Sequence, residues 1–216
     1  MATPRRKPAL APGAALLAPL LAALALAAGA LPARATPEVT ECDRLAAHPS
    51  DPDRVAPGVA QRSVDLPAAI AACQAAVAAD PANPRLNYQL GRVLAYAGRG
   101  RESRPYRQAA VAAGYPQALF VVGFITLFGL NEEPRDPCRA ADLVRRSALA
   151  GRQAGEIAFV HWALEGRFDG CPTPQDSREM AGFLKAAREK SQGDFFQGLL
   201  IDRLEADLAR QSGERG

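Results

Sequence analysis

Six side chains in this 216-residue sequence are of the types that attack carbon centres or bind soft metals: Cys42, Cys73, Cys138, Cys171, His48 and His161. A cysteine becomes a nucleophile when a histidine takes its proton, and Cys171 and His161 are the nearest such pair along the chain. That chemistry needs a thiolate, which an oxidised cysteine cannot provide. No C-x-x-C is present, which counts against both a thiol redox motif and a compact zinc site. Two histidines make neither a His-rich site nor H-E-x-x-H, and S-x-x-K, G-x-S-x-G and G-x-x-x-x-G-K-[ST] are all absent. Asp51 and Asp53 suggest calcium, but the twelve-residue loop pattern with its closing Glu is missing, so a solvated loop is expected there. The residue types thus argue against an enzyme, a cofactor and a metal site.

The cysteines read better as staples. An even number in an oxidising compartment predicts two disulfides, and of the three connectivities chain order favours Cys42 with Cys73 and Cys138 with Cys171. Four free buried thiols are the alternative. Each bridge would stabilise the fold by about 2–4 kcal/mol. The oxidising compartment is suggested by the first 35 residues, where Arg5, Arg6 and Lys7 precede an Ala/Leu run from Ala9 to Leu31 and Ala33-Arg34-Ala35 supplies an A-x-A cleavage pattern. Residues 1–35 are expected to be a signal peptide, and the protein periplasmic or secreted. An uncleaved anchor is the other reading, since the run approaches the roughly 20 residues that span a bilayer; membrane contact is expected only in that case.

Four of the 26 basic residues and none of the 23 acids fall in residues 1–35, so the remaining 181 residues carry 22 basic and 23 acidic groups, a net charge of −1. A nucleic-acid partner needs a basic surface, and none is expected here. A 48% hydrophobic composition with only 6% aromatic residues favours packed helices over sheet.

Residues 36–64 are expected to form a short helix from Thr36 to about Ala47, carrying Cys42, Leu45 and Ala46, followed by a Pro/Asp/Gly-rich surface loop. Residues 65–216 read as a helical domain. Asp65 with Pro67 predicts a helix start, as do Asp136-Pro137 and Thr173-Pro174 with Asp176. Leu143, Val144 and Leu149 are core candidates of the Asp136 helix, and Met180, Phe183, Leu184 and Ala187 of the Thr173 helix. A last helix, about Asp194 to Gln211, lines up Phe196, Leu200, Leu204 and Leu208 as a terminal cap. The stretch Leu86–Leu130 reads as helix, turn, helix and the start of another, with the arginines of GRGRESR, Arg99 to Arg104, on a solvated hairpin turn.

Ala69, Cys73, Ala76 and Pro81, followed by Asn87, Leu90-Gly91 and Leu94, resemble the tetratricopeptide pattern. Further on, Ala110, Val111, Gly114, Ala118, Val122 and Gly123 return as Ser147, Ala148, Gly151, Gly155, Phe159 and Val160, each 37 residues later. This longer spacing resembles the Sel-one-like repeat, with Val160 standing where that repeat usually has Gly. The resemblance covers about Asp65 to Glu189 and implies an all-α, right-handed α-solenoid of antiparallel helix pairs. It also implies a concave face lined by the first helix of each pair. In this register that face holds Arg85, Tyr88, Arg92 and Ala95, then Gln117, Phe120, Phe124 and Leu127, then Ile157, His161 and Leu164. Arg85 and Arg92 would suit a partner's carboxylate, since a guanidinium matches its geometry. Phe120 and Phe124 are either apolar contact surface or core covered by later helices. The implied function is an adaptor that binds a protein or peptide, with no small-molecule cofactor. Two alternatives remain: a cell-wall-directed enzyme or penicillin-type ligand binder of the cysteine-rich Sel-one-like kind, and a membrane-anchored structural subunit.

Overall fold

A computed structural model describes residues 38–213, besides Met1. The expected export signal, residues 1–35, lies outside the described residues. Within them are nine α-helices and one 3₁₀ turn (Gln61–Ser63), without a strand. The helices are α1 (Glu41–Ala46), α2 (Leu66–Ala79), α3 (Pro84–Tyr96), α4 (Gly100–Ala112), α5 (Pro116–Phe128), α6 (Pro137–Leu149), α7 (Gln153–Leu164), α8 (Ser177–Lys190) and α9 (Phe195–Gly213). Each packs against the next, and α1 also reaches α3 as α7 reaches α9. The core is correspondingly serial. One apolar cluster joins Cys42, Ala69, Cys73, Leu86, Leu90 and Leu94, and another, around Phe159, Phe168, Phe183, Leu184, Ile201 and Leu204, fills the C-terminal half.

Short polar side chains begin most of these helices by accepting otherwise orphaned N–H groups. Asp65 accepts from Ala68, Asn83 from Arg85 and Leu86, and Asp136 from Arg139. Thr40 and Asp43 form a reciprocal capping box, so α1 starts at Glu41 rather than at Thr36. Asp176 is itself the cap of α8, accepting from Glu179 at 2.8 Å, so that helix begins three residues later than Thr173-Pro174 suggests.

The 37-residue register has a local structural counterpart. Gly114 and Gly151 take φ of +74° and +77° after α4 and α6, a left-handed conformation that glycine adopts without a Cβ penalty. At both junctions the following N–H turns back into the helix, Tyr115 to the Ala110 carbonyl at 3.0 Å and Arg152 to the Ser147 carbonyl at 3.1 Å. Gly123 serves a different purpose: a Cβ there would stand 2.6 Å from Val144 Cγ2, so α5 and α6 meet backbone against side chain. Val160, its counterpart on α7, is fully buried, so that later position does accommodate a branched side chain.

Both cysteine pairs are disulfides joined in chain order. Cys42–Cys73 ties α1 to α2, and Cys138–Cys171 ties the first turn of α6 to the connection between α7 and α8. Two disulfides suit an oxidising environment. No helix among the described residues is long and apolar enough to cross a membrane.

Four expectations need correction. Asp51 is completely buried, not solvated, because the hydroxyl of Tyr115 reaches it from α5's N-terminus at 2.7 Å. Arg101 and Arg104 lie in the opening turns of α4, paired with Glu132 at 2.9 Å and Glu133 at 2.7 Å, rather than on a free turn. Leu149, the last residue of α6, is 56% exposed. On α9 the buried stripe is Ile201, Leu204 and Leu208, whereas Phe196 is 80% and Leu200 42% exposed. The inward place in that helix's first turn is held by Gln197, whose amide oxygen accepts from Gln153 and Ser191.

Candidate functional site

The positions expected to line a concave face divide into a covered half and an open half. On α3, Arg85, Tyr88 and Arg92 are all buried, the two arginines under residues 38–59 and Tyr88 against Tyr115 and Gln117. Arg85 does hold a carboxylate, but it belongs to the chain's own Asp43. Arg85 Nε donates to Oδ1 at 2.7 Å and its terminal nitrogen to Oδ2 at 3.1 Å, and Gln89 adds a third donor at 2.9 Å. Burial works to raise the Asp43 pKa, but hydrogen bonds from Thr40, Gln89 and Arg85 outweigh it and hold the carboxyl below its ordinary value. Arg92 reads only backbone and phenol. It donates to the carbonyls of Ala46 (2.7 Å), Ala47 (3.0 Å) and Val59 (2.7 Å), and to the Tyr96 hydroxyl at 3.0 Å. Neither arginine is left for a partner's carboxylate. The sequence places them on the inner stripe, but not the segment that satisfies them from more than thirty residues away.

Beneath that segment runs a buried polar chain. Gln117, also buried, donates to the Tyr88 hydroxyl at 3.2 Å and accepts from Arg152. The Tyr88 ring lies 5.8 Å from that of Tyr115, which holds Asp51. Burial raises both phenols, and it raises Asp51 despite the Tyr115 hydrogen bond. His48, at the edge of this cluster, is pulled down to about 4 by burial and then by the fields of Arg92 and Arg152. It is therefore neutral at pH 7. These residues hold the N-terminal segment against α3, α5 and the start of α7.

The open half begins on α5. Phe120 is half-buried, under the Arg152 guanidinium at 5.6 Å, while Phe124 and Phe128 are each 39% exposed. Phe124 and Phe128 lie 5.0 Å apart and flank the nearly buried Trp162 at 6.2 and 5.8 Å. His161 and Leu164 carry the surface along α7, where His161 stands 3.3 Å from Glu165. From there a groove of about 450 Å³ opens between α7 and α9, lined by His161, Leu164, Leu200, Arg203 and Asp207. Of the expected site residues, Phe120, Phe124 and His161 keep accessible surface, whereas Arg85, Tyr88, Arg92 and Gln117 are inside.

Arg107 was not singled out in the sequence. It shares the buried stripe of α4 with Ser103 and Ala110 and is 4% exposed. A cation at i+4 and i−3 of two inward positions is the signal that marks it. No protein-family model matches the chain, and no curated protein or solved structure matches it either.

Proposed function

We propose that this protein is an exported interaction module that binds a peptide or protein segment, in an adaptor role rather than as an enzyme. Its helices belong, in this reading, to a right-handed solenoid of tetratricopeptide-like and Sel-one-like pairs, with the binding face on its open inner half. The observation that carries the proposal is the partly exposed aromatic group of Phe124 and Phe128 against Trp162, together with the groove between α7 and α9 beside Leu200. Apolar surface exposed together, rimmed by charges such as Arg167, Arg203 and Asp207, is the arrangement that marks contact sites for other chains. Two disulfides support an extracytoplasmic setting, and the groove suits a segment carrying an aliphatic or aromatic anchor.

Selection of a displayed peptide library against the folded, oxidised protein tests the proposal. Peptides with apolar anchors are expected, and Phe124→Asp and Leu200→Asp are each expected to weaken them by about tenfold or more, as loss of a buried interface anchor does. An Arg44→Ala control on α1, whose side chain pairs with Glu41 of the same helix, should bind as the wild type does. Selected peptides that bind both aspartate variants unchanged would show that the strip is not the binding face.

A further inference from the structure

Arg107 lines a second cavity, of about 270 Å³, between α3, α4, α5 and the N-terminal segment. Although Arg107 is only 4% exposed, none of its guanidinium nitrogens has a hydrogen-bond acceptor or an ion-pair partner among the described residues, and Nη1 is both buried and unpaired. Burial depresses its pKa, but a guanidinium does not lose its proton in a protein, so a positive charge stands there. The acid whose field reaches it, Glu133, already faces Arg104 at 2.7 Å and Arg139 at 3.6 Å. Uncompensated buried charge is costly, which makes the position a demand for an anion.

The rest of the lining answers that demand. No carboxylate side chain lines the cavity. The hydroxyls of Tyr88 and Tyr96 accept hydrogen bonds from Gln117 and Arg92, and each keeps its own proton to donate. His48 Nδ1 accepts from the Ser50 N–H, so the neutral ring carries its proton on Nε2. Opposite these donors stand Val121 and Ile125 of α5, an aliphatic wall.

We infer that this cavity binds a small organic carboxylate, its anionic head on Arg107 and its short aliphatic body against Val121 and Ile125. Arg92 lines the cavity too, but its donors are committed to carbonyls and the Tyr96 hydroxyl, so Arg107 is the guanidinium left to hold the head group. The aliphatic wall favours an anion with an apolar body over inorganic phosphate, and the planar fork of a guanidinium matches a carboxylate. The site is separate from the aromatic strip and does not depend on peptide binding there.

Calorimetric titration with isovalerate, its neutral analogue isovaleramide and inorganic phosphate provides the test. The wild type is expected to bind one isovalerate per chain and neither of the other two. Arg107→Met, which keeps the methylenes packed on Gly91, and Ala95→Phe, which fills the cavity and leaves every charge in place, should each weaken isovalerate by about tenfold or more, the scale of a lost charge-assisted hydrogen bond. Circular dichroism establishes that each variant is folded. No saturable isovalerate binding, equal binding of the amide, tighter binding of phosphate, or wild-type affinity in either folded variant overturns the inference.

Discussion

Arg92 and Arg107 face one cavity and have opposite circumstances, which makes them separable by substitution. Arg92 donates to three carbonyls and a phenol, whereas Arg107 donates to nothing among the described residues. Replacing an uncompensated buried charge with an apolar side chain of similar length is stabilising, so Arg107→Met should raise the unfolding free energy of the ligand-free protein by about 1–3 kcal/mol. In a domain of this size that is a melting temperature higher by about 2–4 °C per kcal/mol, measurable by calorimetry. Asp43→Ala should do the reverse and cost about 3–5 kcal/mol, because it leaves the buried Arg85 without its partner.

The pH dependence is a residue-scale property as well. His48 titrates at about 4 when folded against 6.5 when free, so the unfolded chain binds the extra proton between those values. Stability is then full above pH 6.5 and is lost as pH falls toward 4. Burial, and then the fields of Arg92 and Arg152, hold the ring neutral, and Tyr88, Tyr96 and Arg107 line the same cavity. Asp43, lowered, adds a further loss below its unfolded value of 3.8; Asp51, raised, acts oppositely, its contribution present below 3.8 and lost as pH rises. His48→Asn keeps an acceptor for Ser50 and removes the titration, so the decline between pH 6.5 and 4 should flatten in denaturant melts. An unchanged slope would place the cause elsewhere.

At the scale of the helix, α5 and α6 are set by Gly123. A methyl group there would overlap Val144 Cγ2, so Gly123→Ala is expected to cost about 1–3 kcal/mol through overpacking, and adding Val144→Ala should recover part of that loss. Chemical denaturation of the two variants checks this, and an additive double variant would rule out the clash. Helices of this kind were legible in the sequence because their signals are local: Asp65 with Pro67, Asp136 with Pro137, and the 37-residue return of Gly114 as Gly151 act within a few residues of the backbone they shape. The buried place of Asp51 was not legible, and that of Arg107 showed only as a helical spacing from Ser103 and Ala110. Asp51 is held by a phenol 64 positions away, and Arg107 sits where a helical period predicts an apolar residue. Arg85, Tyr88 and Arg92 fall at helical spacing on α3, but spacing says nothing about what else in the chain lies against them. On α9 the period alone could not decide between Phe196 and Gln197, and a hydrogen bond from Gln153 did.

Across the whole molecule, stability should be divided as the core is. The Cys42–Cys73 bridge lies in the N-terminal cluster and Cys138–Cys171 in the C-terminal half, and contacts run mainly between neighbouring helices. Loss of one bridge should cost about 2–4 kcal/mol, concentrated near it. Hydrogen exchange of a Cys42→Ala, Cys73→Ala variant should therefore show α1 to α3 losing protection while α7 to α9 keep theirs. A uniform loss would mean that the array unfolds as one unit.

The segment over α3 also bears on how any outside chain competes for that surface. Arg92 grips carbonyls of residues 46, 47 and 59, groups that every polypeptide carries, so the grip itself does not discriminate. What discriminates is attachment: a tethered occupant acts at an effective concentration on the order of millimolar, before counting the covalent bridge that fixes α1 to α2. A free peptide of equal intrinsic affinity would have to reach that concentration to displace half of it. Below that concentration the α3 surface stays occupied by the chain's own residues 38–59.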